Sequence, residues 1–586
     1  MSEQPLALST IDDLRERARA WIAGDPDEGT RAELQALLDA DDEAELRERV
    51  GANLEFGTAG LRGVVGAGTN RMNLAVIRRT SRGLADHLLA TVPDAAERGV
   101  VVGFDARIDS EAFAREAVAV FAGAGLKVQW FPSPQPTPLV AYAQKVLDAA
   151  AAVVITASHN PPEYNGYKVY AEGAAQIVPP TDAAIAAAID AVGPANEVPL
   201  AAEGGPGGTT DPLTSDLVAP VPASVVDRFF DELAAARPDT PGPDLTIVYT
   251  PLHGVAGELI QRGLGEAGFA DVHVVPSQAE PDGRFPTVRF PNPEEPGAMD
   301  AAVALAGEVD ADLIIANDPD GDRLAAAIPD GEGGFKLLTG NQIGVLLTDH
   351  LLAGSTADRK LVVASIVSTP MFRDVAANYG AHAEFTLTGF KWICAAARDL
   401  ERDEGYSFVY GFEEALGSSV GTVVRDKDGI GAAVAFAGLA RSLAAEGRTI
   451  ADRLEELYRR DGLWVSHQHS ITRPGSAGLA EIAQAMAVLE TRVPEELAGQ
   501  QVLSTIDYRV GAEDRPPWLE AHDMVALELT DGRALIRPSG TEPKLKIYVD
   551  LRGQAGPDRD LDAQSGELLQ RAAAVAEDLA AFVGLA

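Results

Sequence analysis

The sequence predicts an α/β protein of four domains, three related and the last built differently. At 586 residues the chain has room for about four domains of ~150 residues each. Short apolar strands alternate with helical stretches from Gly99 onward, the pattern of βαβ units. A third observation is a recurring start: Thr137-Pro138-Leu139, Thr250-Pro251-Leu252 and Thr369-Pro370-Met371 each follow a short strand and lead into an apolar helix, at intervals of about one domain.

In order, residues 1–50 form a helical extension with amphipathic helices over 11–23 and 31–50, rich in Glu, Arg, Leu and Ala. The first α/β domain covers 51–224, with strands at 99–104, 126–131 and 151–155 and helices at 110–123 and 182–191. Its end, 192–224, is rich in Pro and Gly and reads as a linker or surface insertion. The second domain covers 225–337 and includes a Pro-rich insertion at 290–296; the third covers 338–462. In each repeat Thr is expected as the helix N-cap with Pro at the first helical position. Each repeat also leads to a strand ending in a polar loop, at 156–160, 317–323 and 386–391. Beyond the helix at 449–460 the alternation stops. Residues 463–586 predict an α+β domain with helices at 478–491 and 561–582 and strands near 525–529, 534–537 and 545–551.

Composition narrows the function. Lys and Arg number 48 against 88 Asp and Glu, a net charge of −40. That argues against a nucleic-acid or anionic-membrane partner, since both need a basic face. One cysteine, Cys394, allows no internal disulfide and fits a reducing compartment. No signal peptide or apolar run of membrane-spanning length is present, so a cytoplasmic location is expected.

The chemistry concentrates in loops. Ser158 and His159 stand in Thr156-Ala157-Ser158-His159-Asn160-Pro161-Pro162, just past a buried strand, where open α/β sheets place ligands. Asp318, Asp320 and Asp322 alternate in Asn317-Asp318-Pro319-Asp320-Gly321-Asp322-Arg323. In an extended loop that spacing points three carboxylates one way, as a hard divalent cation requires. A calcium hand would need Gly and an acidic residue where Arg323 and Pro329 stand. A solvated Asp-Pro-Gly turn is the plainer alternative, but three clustered like charges are costly without a cation. The central expectation is that Ser158 carries a phosphoryl group beside that cation. His159 is not expected to act as its base by adjacency, since neighbouring side chains in extended chain diverge. Cations punctuate Gly-rich loops: Arg62 in 57–63, Lys168 in 164–168, Lys391 in 389–391 and Lys427 in 425–429. Gly N–H groups with one Arg or Lys hold phosphate. Arg537, Ser539, Gly540, Thr541 and Lys546 form the clearest anion cradle, and Glu413-Glu414 is an acidic run suited to accept hydrogen bonds from sugar hydroxyls.

Thr-Ala-Ser-His-Asn-Pro (156–161), Asp-Pro-Asp-Gly-Asp-Arg (318–323), Gly-Phe-Glu-Glu-Ala (411–415) and Arg-Pro-Ser-Gly-Thr-Glu-Pro-Lys (537–544) resemble the four signature loops of the α-D-phosphohexomutase family. The flanking blocks around 57–63, 164–170, 386–392 and 411–417 resemble its phosphoglucomutase-2/phosphopentomutase-like branch. The resemblance implies four domains around a central cleft, three homologous mixed-sheet domains and a C-terminal α+β domain. It implies an isomerase that interconverts hexose 1-phosphate and hexose 6-phosphate, with glucose the first expectation and mannose or pentose the alternatives. It implies a phosphoserine at Ser158, Mg²⁺ held by Ser158, Asp318, Asp320 and Asp322, and glucose 1,6-bisphosphate or a matching bisphosphate as activator and intermediate. Arg62, His159, Lys168, Arg323 and Lys427 would activate the serine and the sugar hydroxyl. Thr388, Gly389, Lys391 and Glu413 would contact the sugar, and Arg537, Ser539, Gly540, Thr541 and Lys546 the non-reacting phosphate. Ala415 departs from hexomutases that carry Ser there, which leaves sugar preference open. A small-molecule sugar phosphate is the expected partner of a monomer or homodimer. The rivals are a Mg²⁺-dependent sugar phosphatase and a non-catalytic sugar-phosphate binder; the latter predicts a missing nucleophile or metal carboxylate, and none is missing.

Overall fold

The computed structural model describes residues 10–57, 60–201, 211–539, 544–556 and 560–585. The chain divides into two compact units: 1–237 with 244–337 and 418–437, and 238–243 with 338–417 and 438–586.

One parallel motif occurs three times. Val100–Phe104 pairs in parallel with Val128–Trp130 and Ala151–Ile155. Ile247–Thr250 does so with Val272–Val274 and Leu313–Ala316, and Lys360–Ser365 with His382–Thr386 and Ser407–Glu413. In each the first strand lies between the second and third. Val100–Phe104, Ala151–Ile155, Ile247–Thr250 and Leu313–Ala316 are buried along their whole length. Helices on both faces of a parallel sheet demand this, and it explains the unbroken apolar runs. An antiparallel strand flanks the third strand of the first two sheets, Tyr164–Tyr170 beside Ala151–Ile155 and Ala325–Pro329 beside Leu313–Ala316.

The repeat therefore exists, in a different register from the Thr-Pro pairs. Thr137 follows a second strand, while Thr250 ends a first strand and Thr369 follows one. The expected N-caps also fail. The Thr137 hydroxyl donates to Asp320 Oδ2 at 2.8 Å, and that of Thr250 to Gln278 Oε1 at 2.6 Å. The chain after Thr250 passes through left-handed Leu252 and His253 before the helix Gly257–Glu266 begins. Thr369 accepts only a long bond, 3.4 Å, from the Met371 amide. Local capping yields where a buried partner competes for the hydroxyl.

The extension holds three helices where two were expected: Ile11–Gly24, Glu28–Asp39 and Glu43–Val50. Asp41 turns left-handed, and Asp42 caps a fresh start through the Glu45 amide at 3.1 Å. The expected linker at 192–224 is partly structural: Val218–Pro220 adds a parallel strand beside Val128–Trp130. Residues 202–210, which hold its Gly-rich run, lie outside the described residues.

The last domain is an antiparallel sheet ordered Leu463–Thr472, Lys544–Gly553, Gly532–Pro538, Val525–Leu529, Gln500–Asp507, Glu496–Leu497. Helices Gly475–Thr491 and Leu561–Phe582 accompany it. The strands at 463–472 and 500–507 escape a sequence reading because they carry few apolar residues and stay largely uncovered. No single described helix is long and apolar enough to cross a membrane.

Candidate active site

The reactive loops of the first unit leave equivalent third strands. Past Ile155 the chain turns, and Ser158 adopts a left-handed φ of 53°. The Thr156 hydroxyl accepts the Ser158 amide at 2.9 Å. Arg107, from the loop after Val100–Phe104, holds this turn from below. Its Nη2 donates to the carbonyls of Ser158 and Asn160 at 2.7 and 2.6 Å, and its Nη1 to those of Pro161 and Tyr164 at 2.8 and 2.9 Å. Asp105 pairs with its Nε at 3.2 Å, both side chains buried. Four carbonyls on one planar guanidinium fix the loop in a way that no flexible ammonium reproduces.

Ser158 Oγ, nearly enclosed, donates to Asp318 Oδ2 at 2.8 Å and lies 3.0 Å from His159 Nδ1. The expectation that adjacency would separate serine and histidine is thus overturned, because left-handed backbone at Ser158 brings the two side chains together. Burial, with Arg323 and Arg62 nearby, pushes His159 well below its ordinary pKa.

Asp318, Asp320 and Asp322 are fully buried. A turn through left-handed Gly321, in place of the extended loop expected, gathers one oxygen of each within 4.8 Å of the others. Asp320 Oδ1 and Asp322 Oδ1 are buried acceptors without a hydrogen-bond partner. Burial and then the charges of Asp322 and Asp320 raise Asp318 well above the usual carboxylate range. Orphaned hard oxygens in a crowded anionic nest fit a divalent cation. Lys168, from Tyr164–Tyr170, reaches Asp320 Oδ2 at 2.6 Å and Asp322 Oδ2 at 2.8 Å. Lys427 reaches Asp322 Oδ2 at 3.2 Å and Asp426 Oδ1 at 3.6 Å, and Asp426 is itself held by the hydroxyl of Tyr170 at 2.6 Å. Arg323 Nε stands 3.8 Å from Asp318 Oδ2. Arg62 donates to Asn160 Oδ1 at 3.0 Å. The structure thus brings together Ser158, His159, Lys168, Arg323, Lys427 and the three aspartates, with Arg62 at the serine loop.

The second unit holds the remaining candidates. Gly389, with φ 111°, donates its amide to Glu413 Oε1 at 2.7 Å, so the loop after a second strand meets the end of a third. Neither glutamate is fully exposed. Glu414 accepts from Ser365 and Ser368 at 3.0 and 3.3 Å, which binds it into the fold. Thr388 is half-buried beside Gly389, and Lys391 lies over the Trp392 ring. Arg537 and Lys546 sit opposite each other on paired strands, with the Tyr548 hydroxyl 3.3 Å from Arg537 Nη2. The Ser539 amide donates to the Lys544 carbonyl at 2.8 Å. Gly540 and Thr541 lie outside the described residues. His522 is pushed down to about 4 by burial and by Arg537 and Lys391, so it feels both cationic loops of this unit.

Sequence reading did not place Arg107 or His522 beside these loops, and took Thr137 for a helix cap instead of a partner of Asp320. Arg107 had a signal: Asp105-Ala106-Arg107 also follows a buried strand's carboxyl end. Thr137 and His522 owe their positions to tertiary contacts that no local pattern shows.

A serine hydroxyl bonded to a buried carboxylate nest, at the ends of strands in two sheets of doubly wound type, is an arrangement suited to phosphoryl transfer. Family profiles match along the chain: phosphoglucomutase/phosphomannomutase alpha/beta/alpha domains I, II and III at residues 53–195, 227–332 and 339–460, and the C-terminal domain at 477–556. The chain belongs to the phosphoglucomutase/phosphomannomutase family of intramolecular phosphotransferases. It is 41% identical over 494 residues to a probable phosphomannomutase of Haemophilus influenzae, covering 83% of this chain and 95% of the relative. It is 35% identical to a probable phosphoribomutase of Schizosaccharomyces pombe (92% and 94% covered) and 34% to a phosphoglucomutase of Staphylococcus epidermidis (86% and 92%). A crystal structure of a putative phosphomannomutase from Thermus thermophilus shares the fold, with TM-score 0.65, 23% identity and 91% and 99% of the two chains covered.

Proposed function

We propose that this mutase moves a phosphoryl group between the 1- and 6-positions of a hexose phosphate through phospho-Ser158 and a bisphosphate, with glucose 1-phosphate and glucose 6-phosphate as the principal pair. The observation that carries this is the 2.8 Å contact of Ser158 Oγ with Asp318, inside a nest whose neighbouring oxygens are unpaired. The bond from the serine oxygen to phosphorus breaks as the sugar hydroxyl oxygen bonds to phosphorus, and the bisphosphate returns its other phosphoryl group to Ser158. The departing serine oxygen gains a proton and the attacking hydroxyl loses one; His159, 3.0 Å from Ser158 Oγ, is placed for the first exchange. Asp318, Asp320 and Asp322 would hold Mg²⁺ with the serine's phosphate. When bound, Mg²⁺ supplies neutralisation of phosphoryl charge. Lys168, Arg323, Lys427 and Arg62 align and neutralise the transferring group. Thr388, Gly389, Lys391 and Glu413 contact the sugar. Arg537, Ser539, Gly540, Thr541 and Lys546 hold the non-reacting phosphate, whose binding energy favours transfer to sugar over water.

A mannose or pentose substrate is the second reading, favoured by likeness to relatives described as phosphomannomutase and phosphoribomutase. The test compares turnover on glucose, mannose and ribose 1-phosphates, each with its bisphosphate, together with phosphorus analysis of Ser158. Greatest kcat/KM on glucose 1-phosphate upholds the first reading. Phosphate release without isomerisation would make the protein a phosphatase.

A further inference from the structure

The N-terminal helices have no part in this chemistry, yet they close one side of a cavity. Arg17 and Trp21 of Ile11–Gly24 line it with Asn53, Thr69, Arg79 and the segment 192–195, around about 280 Å³. None of its lining residues belongs to the phosphoryl-transfer site, and none is acidic, in a chain of net charge −40.

Two buried donors in the wall lack acceptors. Trp21 Nε1 and Arg79 Nε are buried and unpaired, and an indole N–H or a guanidinium can only donate. Arg79 Nη2 reaches the Val192 carbonyl at 3.2 Å, and its guanidinium lies 6.0 Å from the Trp21 ring centre. No ion pair reaches Arg79 among the described residues; Asp190 acts on it from beyond ion-pair distance, and burial lowers its pKa. A part-buried guanidinium that makes no ion pair carries a desolvation cost, and a bound anion would lower it. Ala20, Ala75 and Pro194 add apolar wall beside the Trp21 ring.

We propose that this cavity binds a small organic oxyanion, a carboxylate or phosphomonoester on an apolar body, with Arg79 and Trp21 Nε1 as its donors. The inference stands apart from the mutase reading and its sugar. The probe is phenyl phosphate, with inorganic phosphate alongside, followed by calorimetry and thermal unfolding. The Ser158 site also takes phosphate esters, so each titration is run in parallel on the parent chain and on Arg79→Gln. The parent should bind one more equivalent of phenyl phosphate than the variant, or bind it about tenfold or more tightly at that class of site. Inorganic phosphate, lacking the apolar body, should bind more weakly. Without anion, Arg79→Gln should melt no lower than the parent, because it removes an uncompensated charge. Equal stoichiometry and affinity in parent and variant overturn the site, and equal affinity for the two probes overturns its organic ligand. If Arg79→Gln does not fold, Trp21→Phe keeps a ring and deletes the donor; unchanged binding in that variant overturns the proposal equally.

Discussion

Ser158 is held in left-handed backbone by a guanidinium it does not touch with its own side chain. Arg107 spends four donors on the carbonyls of Ser158, Asn160, Pro161 and Tyr164, so the hydroxyl's aim depends on Arg107's planar shape as much as on its charge. Lysine keeps the charge opposite Asp105 and loses the shape. Arg107→Lys should therefore lower kcat about 100-fold with KM little changed, the scale of a displacement near 1 Å; a kcat within twofold of the parent refutes the clamp. The carboxylate nest makes a separate prediction. Asp320 meets Thr137 and Lys168 through Oδ2 and leaves Oδ1 unpaired. Asp320→Asn should cut activity by more than about 100-fold, beyond the loss typical of groups that only orient a ligand, and should blunt the response to added Mg²⁺. Undiminished Mg²⁺-dependent turnover would place the cation elsewhere.

At the scale of elements, the third strands Ala151–Ile155, Leu313–Ala316 and Ser407–Glu413 deliver the serine, the carboxylates and Glu413 to corresponding ends of their sheets. The first two are unbroken buried apolar runs, which is why strand and loop were legible in the sequence to within a residue or two. Their true register was not, because Thr-Pro pairs mark two different turns and only the sheet order separates them. Strands 463–472 and 500–507 were invisible for the opposite reason: few of their side chains are buried and no apolar period runs along them. The His159 contact could not be read either, since it depends on a positive φ at Ser158. The strand Tyr164–Tyr170 offers a test of how tightly these elements hold the serine loop. A Cβ on Gly166 would stand 2.5 Å from the Thr156 carbonyl oxygen and 2.7 Å from that of Leu61. Gly166→Ala should cost about 1–3 kcal/mol and reduce turnover as well, because the loop it displaces leads directly to Ser158. Thr449→Ala is the contrast: Thr449 caps the helix Ile450–Asp461 through the Asp452 amide at 3.1 Å. Its loss should cost about 1 kcal/mol and leave specific activity unchanged. Equal effects of the two variants on activity would show that Gly166 has no special hold on the site.

At the scale of the whole molecule, two buried histidines should each weaken the fold in mild acid, against the opposite pull of buried carboxyls such as Asp428, which burial pushes up to about 6. His350, on the helix Gly340–Gly354, has a buried Nε2 without a partner. Burial, with Arg453 nearby and Asp349 opposing, pushes its pKa down to about 4. His522 is pushed down to about 4 as well. An unfolded chain protonates each histidine near 6.5, while the folded chain resists until about 4. Between those values the unfolded state binds more protons, so stability drops as pH falls, by at most about 1.4 kcal/mol per pH unit for each histidine. Above pH 6.5 neither contributes a slope. Asp282, held down to about 2 by Arg284, has the ordinary sign for a carboxylate, and its contribution is lost only below pH 3.8, outside this window. His350→Leu keeps bulk in the same pocket and removes the proton site. Urea unfolding at about pH 7.5 and about pH 5.0 should show a smaller acid loss in this variant than in the parent. A parent and variant that lose equal stability across that interval would mean that the imidazole of His350 is protonated in the folded protein as readily as in water.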